Sequence, residues 1–123
     1  MKIVTNNPLV SAEYSDKTEF VDTDVSGVLH KAQNYIHLGA ELMSPQLASD
    51  HSSGENPYIS LVVLELEDHV GVTTDFYSLT LIEDAIKDLG DSSRGFDGYD
   101  DNALKDFQAA DLELLKDCLE KFD

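Results

Sequence analysis

A chain of 123 residues, 41% of them apolar, has the size of one domain and can bury roughly 65% of the surface its unfolded form exposes. Twenty-five acidic against eight basic residues give a formal charge of −17, which argues against nucleic acid as a partner, because phosphate-backbone binding needs Lys/Arg clusters to displace counterions. The single cysteine, Cys118, excludes an intramolecular disulfide, and no run of about eighteen apolar residues is available to span a membrane.

The first apolar run is only Ile3 and Val4, too short for a secretory signal, so the expected compartment is the cytoplasm. Three readings of the acidity compete: a surface solvated for salty surroundings, a docking face for a basic protein, or solubility alone. The acids are spread along the whole chain, whereas a binding face would cluster its charge.

In chain order, Lys2 to Thr5 reads as a first strand. Asn7 then caps a short helix with Pro8 at its first position, where the missing N–H is harmless. Read as a cap alone, Asn7→Ala costs about 1 kcal/mol and replacement of Asn6 costs little. Lys17 to Val21 is a second strand. Asp22-Thr23-Asp24 caps a helix whose Val25, Val28, Leu29, Ala32 and Ile36 recur at helical spacing up to the stop signal Gly39. Glu41 to Ser44, between a glycine and Pro45, fits a third strand.

Ser44 to Pro57, rich in Ser, Asn, Gly and Pro and carrying His51, is the longest loop, and loops of that length tend to be functional. Ile59 to Leu66 (ISLVVLEL) is the most apolar run and reads as a strand buried on both faces. A helix over about Asp75 to Leu89 is expected to bury Phe76, Leu79, Ile82, Ile86 and Leu89 and to end at Gly90. Asp91 to Asp101 is a loop. A last helix over about Asn102 to Phe122 is expected to bury Leu104, Phe107, Leu114, Leu115, Cys118, Leu119 and Phe122.

The order β-α-β-α-β-β-α-α predicts a three-layer α/β fold over residues 1–123, with a small, mainly parallel sheet of about four strands, core order 2-1-3, flanked by helices. The polar turns Thr5-Asn6-Asn7, Asp22-Thr23-Asp24 and Ser44-Pro45-Gln46 then meet at the carboxyl edge, where open α/β sheets bind ligands. The candidate ligand-binding residues are Thr5, Asn6, Asn7, Ser44 and His51. Asn6 and Asn7 offer amide groups beside a helix start, a setting suited to a small carboxylate.

No complete catalytic set is visible. His30 and His37 share a helix face with Asn34, and with Glu41 if that helix continues, but paired histidines on a polar face are usually solvated. Asp22, Asp24, Glu67, Asp68 and His69 are the ligand types Mg²⁺ takes, though their convergence is not written in the sequence. His51 beside Asp50 and Ser52 is adjacency, not catalytic geometry. Cys118 sits on an apolar stripe, and Gly95 and Gly98 lie in an acidic stretch that repels phosphate. No metal and no cofactor is expected, and no turnover of amino acids, esters or phosphoesters.

Four segments together resemble the GrdX family: Ile3-Val4-Thr5-Asn6-Asn7-Pro8-Leu9-Val10, Tyr35-Ile36-His37-Leu38-Gly39, Asn56-Pro57-Tyr58, and Asp106-Phe107-Gln108 followed by Asp111-Leu112. Those small proteins are encoded with the glycine, sarcosine and betaine reductase systems of amino-acid-fermenting anaerobic bacteria. The match runs in order over nearly the whole chain. It departs where family members tend to carry His-Pro-Leu after the third strand and this chain reads Ser44-Pro45-Gln46-Leu47. The resemblance implies a context, that of a non-catalytic accessory or binding protein whose partner is a protein or a small carboxylate. The competing classes are an enzyme using Asp22, Asp24 and Asp68 around a divalent metal, and an acidic inhibitor or immunity-type protein docking a basic partner.

Overall fold

The computed structural model describes residues 1–44, 56–65, 74–90 and 95–121. Within them the chain forms strand β1 (Lys2–Thr5), helix α1 (Pro8–Glu13), β2 (Thr18–Phe20), α2 (Val25–His37), β3 (Glu41–Leu42), β4 (Ser60–Leu64), α3 (Phe76–Leu89) and α4 (Asp101–Glu120). Local chemistry sets most of these boundaries. Asn7 Oδ1 accepts from Leu9 N at 2.9 Å, and Asp24 Oδ1 accepts from Gly27 N at 3.0 Å, so each satisfies a backbone donor that the first helical turn leaves open. Helix α2 stops because Gly39 takes φ = 104°, which lets Ala40 N donate to Tyr35 O and Gly39 N to Ile36 O, both at 3.0 Å. That pair of bonds is the Schellman closure.

The sheet is mixed, with order β2-β1-β4-β3. Strand β2 pairs parallel to β1, but β4 pairs antiparallel to both β1 and β3. The α/β class therefore stands, while the mainly parallel sheet and the 2-1-3 core order are corrected. The reason is apolarity. Ser60, Leu61, Val62 and Val63 are all essentially inaccessible, so this run takes the position covered on both faces, between β1 and the two-residue β3.

Because only β4 is reversed, β1, β2 and β3 still run in one direction, and their carboxyl ends share one end of the sheet with the start of β4. Helices α1 and α4 pack on each other, as do α2 and α3. Side chains alternate across the strands, so Thr5 and Ser60 point to the face that α4 covers. The N–H of Leu42, on the side of β3 away from β4, donates to Ser78 Oγ of α3 at 2.9 Å.

One apolar core runs through the sheet, from Ile3 and Val4 through Val28, Leu29 and Ile36 to Ile82 and Leu115. Two expected core positions are corrected: Phe76 is 76% and Leu114 41% exposed. Phe76 is the first residue of α3. Leu114 and Leu115 are neighbours about 100° apart on a helix, so only one of them can face the sheet, and Leu115 does. Phe122 lies outside the described residues.

Candidate functional site

The carboxyl edge is built on buried polar side chains. Thr5, Asn7 and Ser60 are fully buried, Asn6 is buried, and Asp111 of α4 is only 1% accessible. Asn7 N donates to Thr5 Oγ1 at 3.0 Å. Thr5 Oγ1 lies 2.7 Å from Ser60 Oγ and 3.0 Å from Ile59 O. Ser60 Oγ donates to Asp111 Oδ2 at 2.7 Å, and Asn7 Nδ2 donates to the same oxygen at 2.9 Å and to Gln108 O at 3.0 Å. The result is a closed ring joining the end of β1, the start of α1, the start of β4 and the middle of α4. A carboxylate taken out of water needs such donors, because its desolvation is otherwise uncompensated.

Asn6 forms a second set of bonds on the other side of the strand end. Its Nδ2 donates to Thr23 O at 2.9 Å and to Pro57 O at 3.0 Å, while its Oδ1 accepts from Ile59 N at 2.9 Å. One amide thus ties the β2–α2 turn to the segment entering β4. Both amides are structural cross-links, so Asn7 does more than cap α1. Asn56 repeats the pattern, donating to Phe107 O at 3.0 Å and accepting from Tyr58 N at 2.9 Å.

Over this network lies an aromatic cap. Tyr58 meets Phe96 at a tilt of 45° with ring centroids 5.1 Å apart, Tyr99 meets Phe107 edge-on at 5.0 Å, and Gln108 Nε2 donates to the Tyr58 hydroxyl at 2.9 Å. Phe96, Tyr99 and Phe107 remain half-buried, whereas Tyr58 is buried. Among the described residues no buried side-chain nitrogen or oxygen lacks a hydrogen-bond partner.

Of the candidate residues, Thr5, Asn6 and Asn7 are thus brought together. Ser44 shares that end of the sheet but stands across β4, where its buried hydroxyl accepts from Val62 N at 2.9 Å. His51, Asp68 and His69 lie outside the described residues, as do Pro45 and Gln46. Asp22 is exposed and Asp24 is engaged as a cap. Helix α2 ends at His37, so Glu41 does not extend its face, and the His30 ring donates back to Ser26 O at 2.8 Å. Among the described residues no three His, Cys, Asp or Glu side chains converge as metal ligands.

Asp111 and Ser60 are the members that sequence reasoning missed. The signals were an acid at i+4 from Phe107 and i−4 from Leu115, on the apolar stripe of α4, and a lone hydroxyl inside an apolar strand. Elsewhere, Tyr35 donates to Glu19 Oε2 at 2.7 Å with the Lys2 and Lys31 ammonium groups near its ring. Burial, with Glu19 assisting, raises the Tyr35 pKa. Burial alone would lower that of Lys2, but Glu65 and Tyr35 outweigh it and raise it.

The family model described as GrdX-like protein matches residues 2–120. The chain belongs to the GrdX-like family. No curated protein and no solved structure matches it. Of the four segments that resemble the family, three are joined by the two hydrogen-bond sets, Thr5-Asn6-Asn7, Asn56-Pro57-Tyr58 and Phe107-Gln108 with Asp111, while Tyr35 to Gly39 closes α2 elsewhere. No helix of the described residues is long and apolar enough to cross a membrane.

Proposed function

We propose that this GrdX-like protein is a non-catalytic accessory or binding protein linked to amino-acid reductase metabolism, of the glycine, sarcosine or betaine type, and that it works by docking a protein partner at the carboxyl edge. The observation that carries this reading is the engagement of Thr5, Asn6, Asn7, Ser60 and Asp111 with one another beneath a half-exposed aromatic layer. Side chains held this way act as a rigid support. Rigid aromatic rings above such a support are the usual anchors of protein interfaces. The amides of Asn6 and Asn7 already hold protein partners, so a protein suits this edge better than a small carboxylate. Family membership over residues 2–120 supports the reductase context.

Calorimetric titration of the protein with purified components of a glycine, sarcosine or betaine reductase tests the proposal. Saturable binding to one component, weakened at least tenfold by Phe96→Ala or Tyr99→Ala while the fold is kept, is the expected result. Absence of binding to every component, or turnover of amino acids by the isolated protein with or without Mg²⁺ or Zn²⁺, overturns it.

A further inference from the structure

At the opposite, amino end of the sheet, a cleft of about 370 Å³ opens between the α1–β2 turn and the last turns of α4. Its walls are Met1, Tyr14 and Leu119, and its polar groups are Lys17, Lys116 and Glu120. We propose that this cleft is a binding site for a small monocarboxylate with an apolar body.

Three observations carry the assignment. The first is charge. In a chain of formal charge −17, two of only eight basic residues line this one cleft, and neither makes an ion pair among the described residues, where the pairs are Lys2 with Glu65 and Lys31 with Glu19. The second is shape and lining: the volume falls within the range of small-ligand pockets, and apolar walls with a few charged groups are what such pockets use to bind a body and orient a head. The cationic groups of the lining outnumber its one carboxylate, which suits an anionic head.

The third is rigidity. Lys17 N donates to Tyr14 O and Ile3 N donates to Lys17 O, both at 2.9 Å, and Thr18 Oγ1 also donates to Tyr14 O, at 2.7 Å. The turn that presents Lys17 and Tyr14 is therefore tied to β1, while Lys116 and Leu119 project from a twenty-residue helix. Pre-formed walls lower the ordering cost of binding. This site is separate from the docking edge, and neither proposal depends on the other.

The test is an amide-resolved NMR titration of the intact protein with 3-phenylpropionate, 3-phenylpropanol and phenyl phosphate, repeated on Lys17→Gln and Lys116→Gln. The expected result is saturating shifts centred on Tyr14, Lys17, Lys116 and Leu119 with the carboxylate, at least tenfold weaker binding of the alcohol, and at least tenfold weaker carboxylate binding in either variant. Lys17 is exposed on a turn, so Lys17→Gln keeps the test decisive should Lys116→Gln fail to fold. Unsaturable shifts, shifts mapping elsewhere, equal binding of the alcohol, tighter binding of phenyl phosphate, or unchanged affinity in Lys17→Gln each overturns the assignment.

Discussion

The side chains of Asn7 and Asp111 meet at 2.9 Å across 104 positions of sequence. This contact ties the first helix to the last and closes the ring of bonds through Thr5 and Ser60. Removing Asn7 takes away a helix cap, about 1 kcal/mol, and leaves the buried Asp111 carboxylate and Gln108 carbonyl short of a donor, about 1–3 kcal/mol more. Asn7→Ala is therefore expected to lose about 3 kcal/mol in urea unfolding. In a double-mutant cycle with Asp111→Ala, a coupling of at least about 1 kcal/mol is expected, and additivity within about 0.5 kcal/mol would refute the ring.

Asn6 offers a further check, since its side chain bonds to Thr23, Pro57 and Ile59. Asn6→Ala should cost about 2 kcal/mol by exposing three backbone groups to an unfilled buried space. The exposed neighbour Asp22→Ala should change stability by no more than about 0.5 kcal/mol. Equal, small effects of the two would show that the Asn6 bonds contribute nothing net.

Gly27, in the first turn of α2, faces Thr23 so closely that an added Cβ would come within 2.7 Å of the Thr23 Cβ. Alanine is normally the better helix former, but here overpacking wins. Gly27→Ala is expected to lower stability by about 1–3 kcal/mol. Adding Thr23→Ala should recover only part of the loss, because the threonine Cβ remains. A more stable Gly27→Ala would mean that the turn shifts freely.

Alkaline pH should unfold the protein earlier than its charge alone implies. Burial raises the Cys118 thiol above its ordinary 9.0, against a smaller lowering by Lys121, and burial with Glu19 raises Tyr35 above 10.0. Folded values above unfolded ones mean that the stability these groups add is full below the ordinary values and is lost as pH rises past them. Melting temperature should therefore fall from about pH 9 upward, and the folded Cys118 should react slowly with a thiol reagent at pH 8 compared with the denatured chain. Equal rates in the two states would refute the shift.

Screening is the last expectation. Twenty-five acids, with two ion pairs among the described residues, leave most negative charge facing like charge. Added KCl should raise the melting temperature until the Debye length drops to about 8 Å near physiological ionic strength, with smaller gains beyond. A melting temperature independent of salt from roughly 10 mM upward would discard self-repulsion as a factor.

Helix caps and stops were legible because they are local: Asn7, Asp24, Gly39 and Gly90 each act on donors or dihedrals within a few residues. The element order was legible for the same reason. The direction of β4 was not, because nothing within Ser60–Leu64 encodes which neighbour it meets, and its partners lie more than fifty positions away in β1 and about twenty away in β3. The role of Asn6 and Asn7 was half legible. Their turn chemistry reads from the sequence, but the acceptors on Thr23, Pro57, Gln108 and Asp111 are supplied by tertiary packing. Asp111 shows the limit most plainly, since an acid on an apolar helical stripe is a conflict that resolves only when its donors are known.

The ring around Asp111 also bears on how the chain is made. Its donors on Asn7 and Ser60 leave the ribosome long before their acceptor, so during synthesis the underside of the sheet waits, hydrated and unclosed, until α4 emerges. Pairings this distant are slow to form and leave strand surface open to wrong partners meanwhile. Completion of the fold is thus expected only once α4 has emerged, and premature termination anywhere before α4 should yield a chain that chaperones retain and proteases remove.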